Sequence, residues 1–368
     1  MVDGKSIAQS RLGQVKDFLT LNKTATTIPF DPNCTKFPQR KDVPQAPYAP
    51  PGVPTAWVWG ETDFVGRLNL LTPTRVKAAA ASEIKTGDIV SLNLPLNHPE
   101  VPAFARESFK HEIKTLAENI AYDDKYELNT QSGTQWDGFR HFGWIPAPTF
   151  YNNTHGEDIV GPKANHKCSI HHWSDHGIAG RGILLDYRSY AEKKGVALNS
   201  YEADRISYAE LEACGRDQGI DIRPQAQGGD IQIGDMLFIR SGFIKTYYSK
   251  PVEERNQLAL RHHELGENDG QRYAGVKQED AMLDWLHDCY FATVAGDSPT
   301  FEAWPSNQEY YIHEYLLAMW GCPLGEMVDL EKLAQTCREK NRWTFFVTSA
   351  AANVPGGVAS HVNGTAIF

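Results

Sequence analysis

No stretch of the sequence approaches the roughly 20 consecutive apolar residues that span a bilayer, which excludes a membrane-embedded chain. Basic residues are in deficit. The 36 Lys and Arg against 46 Asp and Glu leave a net charge of −10, which opposes binding to nucleic acid or anionic lipid through counterion release. Cysteine is sparse: the six, at 34, 168, 214, 289, 322 and 337, are too irregularly spaced for a disulfide framework, and no C-x-x-C pair marks structural zinc. The start, Met1-Val2-Asp3-Gly4-Lys5, lacks the cationic segment and apolar run of a signal peptide or presequence. These absences set the expectations of reduced thiols, a cytoplasmic location, and neither nucleic acid nor membrane as a partner.

What is present suits a soluble enzyme. At 41% apolar and 22% charged, 368 residues supply a substantial core for one large domain or two ordinary ones. Prolines at 29, 32, 38, 44, 47, 50, 51 and 54 crowd residues 28–60, so residues 1–60 read as an extended arm, free to embrace a neighbouring subunit or to strap its own surface. Beyond it, Thr72-Pro73 can cap and open a helix over 73–83. Gly87-Asp88 and Gly234-Asp235 each introduce a strand, residues 182–187 form a buried apolar run, and Ser207 with Glu210 makes a capping box for a helix to about Arg216. Helical spacing over 278–287 leads to a strand at 291–296. A helix near 308–320, an extended piece ending at Glu326, a helix from Asp329 to Lys340 and a strand at 343–348 follow. With no repeat and no dividing linker, residues 61–368 read as one mixed α/β domain.

Chemistry concentrates in Thr130-Gln131-Ser132-Gly133-Thr134-Gln135-Trp136-Asp137-Gly138-Phe139-Arg140-His141-Phe142-Gly143. By residue type alone this is equally a Gly-punctuated polar loop whose Asp and His satisfy local hydrogen bonds. The stretch resembles, however, the signature H-x-G-T-H-x-D-x-P-x-H of the metal-dependent cyclase-like hydrolase family, of the kynurenine formamidase and isatin hydrolase type. Gly133, Thr134, Asp137 and His141 match; Gln131 and Gln135 stand where the signature has histidines, and Phe139 where it has proline. Supporting resemblances lie at Gly66 to Pro73, Gly180 to Asp186, Gly234 to Gly242, His313 to Leu317 and Gly325 to Leu330, so the likeness covers roughly 60–368.

The resemblance implies a swivelling β/β/α cyclase-like fold, a mixed sheet core with packed helices, and a homo-oligomer, dimer or tetramer. It also implies metal ligation at Gln131, Gln135, Asp137, His313 and Glu326, and general acid/base work at His141. Two amides for two imidazoles weaken the case for zinc or manganese; the surviving Asp137, His313 and Glu326 suit one such ion, or Mg²⁺ or Ca²⁺ through oxygen, or none. Without a metal, Asp137 can pair with His141, whose titration near neutrality suits proton transfer. Trp136, Arg140 and Phe142 are candidates for the substrate pocket, with Trp144 and Phe150 nearby; all the aromatics can equally be core, and Arg140 can meet a substrate carboxylate or a surface acid. Asp297 and Glu302 lie in a segment resembling one beside the family's pocket, and His361 is a possible second proton carrier. The cluster His171-His172 with Asp175 and His176 reads as a loop and His262-His263 as a solvated helical stretch.

Three functions follow. The first is a hydrolase opening a cyclic or formyl amide, or a lactone, of a small aromatic metabolite. The second is a metal-independent cyclase, dehydratase or lyase using His141 and Asp137. The third is a non-catalytic small-molecule-binding protein.

Overall fold

The computed structural model describes residues 23–266 and 268–368; the expectations for residues 1–22 lie outside the described residues. In chain order the strands are β1 (Ile89–Ser91), β2 (Lys110–Ala117), β3 (Ala121–Glu127), β4 (Gln135–Asp137), β5 (Ile178–Leu185), β6 (Arg205–Ile206), β7 (Met236–Ile239), β8 (Gly275–Val276), β9 (Thr293–Gly296), β10 (Leu324–Glu326), β11 (Thr344–Ser349), β12 (Ala359–His361) and β13 (Gly364–Ile367). Nine make one mixed sheet in the order β1-β13-β11-β5-β7-β9-β10-β4-β12. Its centre, β5-β7-β9-β10, is parallel, and the flanks are antiparallel. The centre draws on apolar runs such as Ile183-Leu184-Leu185 and Met236-Leu237-Phe238-Ile239, buried throughout, as strands covered on both faces require. β12 and β13 lie near opposite ends of that order although only Val362 and Asn363 separate them. The sheet therefore curls until its ends approach one another. This is the mixed-sheet α/β architecture the resemblance implies.

Helices open where capping chemistry places them. Thr72 accepts from Arg75 N at the head of Pro73–Glu83, and Ser207 with Glu210 completes a capping box at Tyr208–Gln218. Asp280–Asp288 and Glu331–Lys340 agree with their sequence spacing. The helix placed near 308–320 is shorter: it opens at Ile312 and continues as a π-turn, Glu314–Met319. The reason is a carboxylate from elsewhere, Glu302, which accepts the backbone N–H groups of Ile312 (2.8 Å) and His313 (2.9 Å) and so fixes the helix start.

The proline-rich segment packs along its own domain. Phe30 and Trp57 are buried anchors in the common core. Trp57 Nε1 donates to Ala318 O at 2.8 Å, Ala56 N to Met319 O at 2.8 Å and Tyr290 Oη to Pro38 O at 2.8 Å. The histidines at 171, 172 and 176 sit on a short helix, His171–His176, and not in a loop; the rings of His171 and His172 lie 3.9 Å apart. A hairpin, β2-β3, stands apart from the main sheet with nearly every residue exposed. Its cross-strand pairs put Lys110/Glu127, Glu112/Lys125 and Lys114/Asp123 on one face, and His111/Tyr126, Ile113/Asp124 and Thr115/Tyr122 on the other. All six cysteines are buried and unpaired. No helix among the described residues is long and apolar enough to cross a membrane.

Gly66, in the first of the supporting motifs, has φ +56, and a Cβ there would collide with the carbonyl of Gly321 and the ring of Phe139. Gly66→Ala is expected to lower stability by about 3 kcal/mol, from overpacking and left-handed strain together. Gly52→Ala, at φ +77 in open space, should lose only about 1 kcal/mol. Urea denaturation midpoints of the two variants check the contrast.

Candidate active site

Three residues of β4 set the geometry. Alternation along the strand sends Gln135 and Asp137 to one face and Trp136 to the other, and the register with β10 places Glu326 opposite Gln135. Trp136 enters the core, where Gly325, opposite it and without a side chain, leaves room for the ring, and its indole N–H donates to Ser349 Oγ at 2.9 Å. Its expected place in a substrate pocket is thus corrected: strand alternation turns it away. Arg140 is also elsewhere. Its guanidinium donates to the carbonyls of Lys167 (2.7 Å), Asn165 (2.7 Å) and Gly356 (3.2 Å), so every nitrogen is engaged in holding loops together and none meets a substrate or a surface acid.

His313 arrives from the helical turn that Glu302 caps. The same carboxylate accepts its Nδ1–H at 2.7 Å, which fixes the ring with Nε2 facing Glu326 Oε1 at 3.0 Å and Asp137 Oδ2 at 3.8 Å. Burial opposes charge on this imidazole, but the Glu302 and Glu326 carboxylates outweigh burial and raise its pKa well above the ordinary value. Its two ring nitrogens bridge two carboxylates. His141 stands at the mouth, its Nε2 4.0 Å from Asp137 Oδ1 and its side chain 22% exposed. Burial lowers its pKa while Asp137 pulls the other way, so it is neutral at neutral pH. Burial raises the pKa of Asp137, opposed by His141 and reinforced by Glu326.

The two glutamines turn their nitrogens inward. Gln131 Nε2 donates to Asp137 Oδ1 at 2.7 Å; Gln135 Nε2 donates to Gln131 Oε1 at 2.9 Å and to Glu326 Oε2 at 2.9 Å. An amide N–H is no metal ligand, so the five positions together do not fit an ion. A smaller corner does. Asp137 Oδ2 is buried without a hydrogen-bond partner, and Asp137, His313 and Glu326 offer ligand atoms within 4.8 Å of one another. Those three would hold a divalent cation, with Glu302 orienting the imidazole from behind. The Nε2 proton of His313 and such a cation exclude each other.

These groups open on a cavity of about 260 Å³. Phe142 lines it, beside His141, His313 and Glu326, and packs against the His313 ring at 5.5 Å. Trp144 packs instead on Tyr315, and Phe150 bridges back to Thr154. Asp297 accepts from Ser241 N, Ser241 Oγ and Gly242 N and so holds a turn. His361, opposite Gln135 on β12, lines a different cavity with Asn93 and Thr134. The 262–263 pair divides. His262 is solvated, but neither residue is helical, and His263 accompanies Phe104 in the cavity wall and contacts Asp269 at 2.8 Å. Sequence reasoning missed Phe104, Arg106, Thr300 and Trp304, which line the same cavity. The first two lie about 30 residues before the signature in an irregular segment, where no periodicity or motif signals them.

Comparison with known proteins identifies the family and the fold. The sequence matches the model of the Cyclase family over residues 90–303. The crystal structure of a novel cyclase is 26% identical, covers 85% of this chain and 99% of its own, and superposes with a TM-score of 0.71. Isatin hydrolase A from Ralstonia solanacearum is 16% identical, with 81% and 98% coverage and a TM-score of 0.50. An isatin hydrolase bound to the product analogue thioisatinate is 12% identical, with 80% and 97% coverage and a TM-score of 0.50. The last two likenesses are of fold. No curated protein sequence matches the chain.

Gln135→Leu should destabilise the protein by about 2 kcal/mol, because it strips a donor from the buried Glu326 carboxylate; chemical denaturation reads this directly. The double variant Gln131→His, Gln135→His should retain close to one zinc per chain after dialysis, well above the wild-type content, measured by elemental analysis.

Proposed function

The chain belongs to the Cyclase family, and from that premise we propose that it is a hydrolase opening a cyclic or formyl amide, or a lactone, of a small aromatic metabolite. One observation carries the reading: a neutral imidazole, His141, faces an aromatic-walled cavity with a buried carboxylate, Asp137, behind it. Phe104, Phe142 and Trp304 bound a slot suited to one aromatic ring and exclude water around it. His141 takes a proton from the attacking water and returns it to the leaving nitrogen or oxygen, and Asp137 stabilises the imidazolium formed between those two events. The bridged His313 keeps the Glu326 carboxylate in place. A divalent cation held by Asp137, His313 and Glu326 would supply Lewis acidity to the substrate carbonyl.

A second reading, metal-independent cyclase, dehydratase or lyase chemistry by His141 and Asp137, has its own observation: two amide N–H groups and the His313 imidazole already hydrogen-bond to the site's carboxylates. Turnover that survives chelation favours the second reading; loss on chelation with recovery on adding zinc or manganese favours the first. We carry the homo-oligomer as a proposal on the face of β2-β3 that exposes Ile113 (63%), Tyr122 and Tyr126 (55%) beside polar neighbours, read out as the molar mass in solution. The cytoplasmic location is proposed on the six unpaired cysteines.

With a formyl anilide, a cyclic aryl amide and an aryl lactone as trial substrates, His141→Ala should lower kcat by about 10²- to 10⁴-fold. The pH profile carries the sign of the His141 shift. Its pKa is lowered, so the base form persists below the ordinary 6.5, and kcat should stay level from neutrality past that value before falling as acid protonates the ring.

A further inference from the structure

Arg106 is the one charged group of the cavity wall without an opposite charge in contact. A single hydrogen bond, Nη1 to Gln131 O at 2.9 Å, and the face of Phe104, 5.0 Å from its guanidinium carbon, hold it in place. Among the described residues no carboxylate lies within ion-pair distance; Glu326 and Asp137 reach it only through their field. The backbone that delivers it is unusual, since Phe104 and Ala105 both adopt left-handed φ (60° and 55°). For a residue as bulky as phenylalanine that conformation is an outlier and persists only where the surroundings impose it. Thr300 supplies an independent sign. Its hydroxyl is buried, has no hydrogen-bond partner, and belongs to a residue lining the same cavity. An unpaired guanidinium in the wall of the aromatic slot, and an unused hydroxyl carried by a residue of the same wall, are complementary to a carboxylate, which accepts two N–H bonds from arginine and has lone pairs left for a hydroxyl.

We propose that Arg106 and Thr300 form an anion-recognition subsite, and that the ligand of this cavity is a single-ring aromatic bearing a carboxylate. The ring lies between Phe104, Phe142 and Trp304, its carboxylate toward Arg106 and its reacting substituent toward His141. The subsite deepens the hydrolase reading and rests on it only for what happens to the reacting substituent. Recognition of the acid is a binding property, testable without turnover.

The test uses benzoate and benzamide, which share a ring and differ in charge. Each is titrated into the full-length protein, after dialysis against a chelator so that no ion in the Asp137–His313–Glu326 corner serves as the carboxylate's partner. Calorimetry and the fluorescence of the tryptophans, Trp304 among them, read the affinity. Benzoate is expected to bind at least about tenfold tighter than benzamide, equivalent to about 1.4 kcal/mol. Arg106→Met should erase that preference, Arg106→Lys should keep part of it because charge remains without the fork, and Thr300→Val should weaken benzoate about threefold. The titrations read binding and the hydrolase reading is tested by turnover, so a failure of that reading and a failure of this one register in different measurements. Equal affinities, no binding of either probe, or a preference that survives in Arg106→Met overturns the proposal. Should Arg106→Met not fold, by circular dichroism, a preference unchanged in both Arg106→Lys and Thr300→Val overturns it equally.

Discussion

The carboxylate of Glu326 accepts from three stretches of chain at once: the Gln135 amide on β4, the His313 imidazole, and the backbone N–H of Phe301. A carboxyl group at 2% exposure is costly to bury unless its oxygens are multiply hydrogen-bonded, so the site's three walls close together or not at all. This demand also fixes register. A slip of one residue between β10 and β4 would bring Trp136 to the cavity face and drive Gln135 and Asp137 into the apolar core. Glu302 repeats the device one layer out, where a distant carboxylate begins the His313 turn and orients its ring.

The site's charge balance differs from the one the signature implies. Where two imidazoles would give lone pairs to a cation, two amides donate hydrogen bonds to carboxylates, and His313 stands between Glu302 and Glu326. The same four side chains, Asp137, His141, His313 and Glu326, therefore gather as the resemblance implies while their electrostatic roles are redistributed. Asp137 Oδ2 and Gln135 Oε1 remain as buried acceptors without a hydrogen-bond partner.

Legibility in the sequence followed physical cause. Buried apolar runs announced β5, β7, β9 and β11, and side-chain caps announced the helices after Thr72 and Ser207, because those signals are local. β4 is only three residues long and is held by its neighbours on both sides, so nothing local marked it, and without it the opposite facing of Trp136 and Asp137 was not readable. Arg140 looked available because carbonyl acceptors contributed by distant loops are invisible in a one-dimensional pattern. The proline-rich segment was left open between a strap and an embrace for a related reason. Composition showed its prolines, whereas its hold on the domain depends on two aromatic anchors and on where they land.

The strand that carries Gln135 and Asp137 is clasped on its outer side by β12, laid down more than 220 positions later, and β13 then crosses to pair with β1 and β11. During synthesis the ribosome releases the signature loop long before it releases the two strands that stitch the curled sheet shut. A nascent chain can therefore assemble the parallel centre while its reactive face is still open on one side. Competence arrives in a single late step, and a message truncated just before Ala359 yields a polypeptide with most of the core but an unsupported working edge.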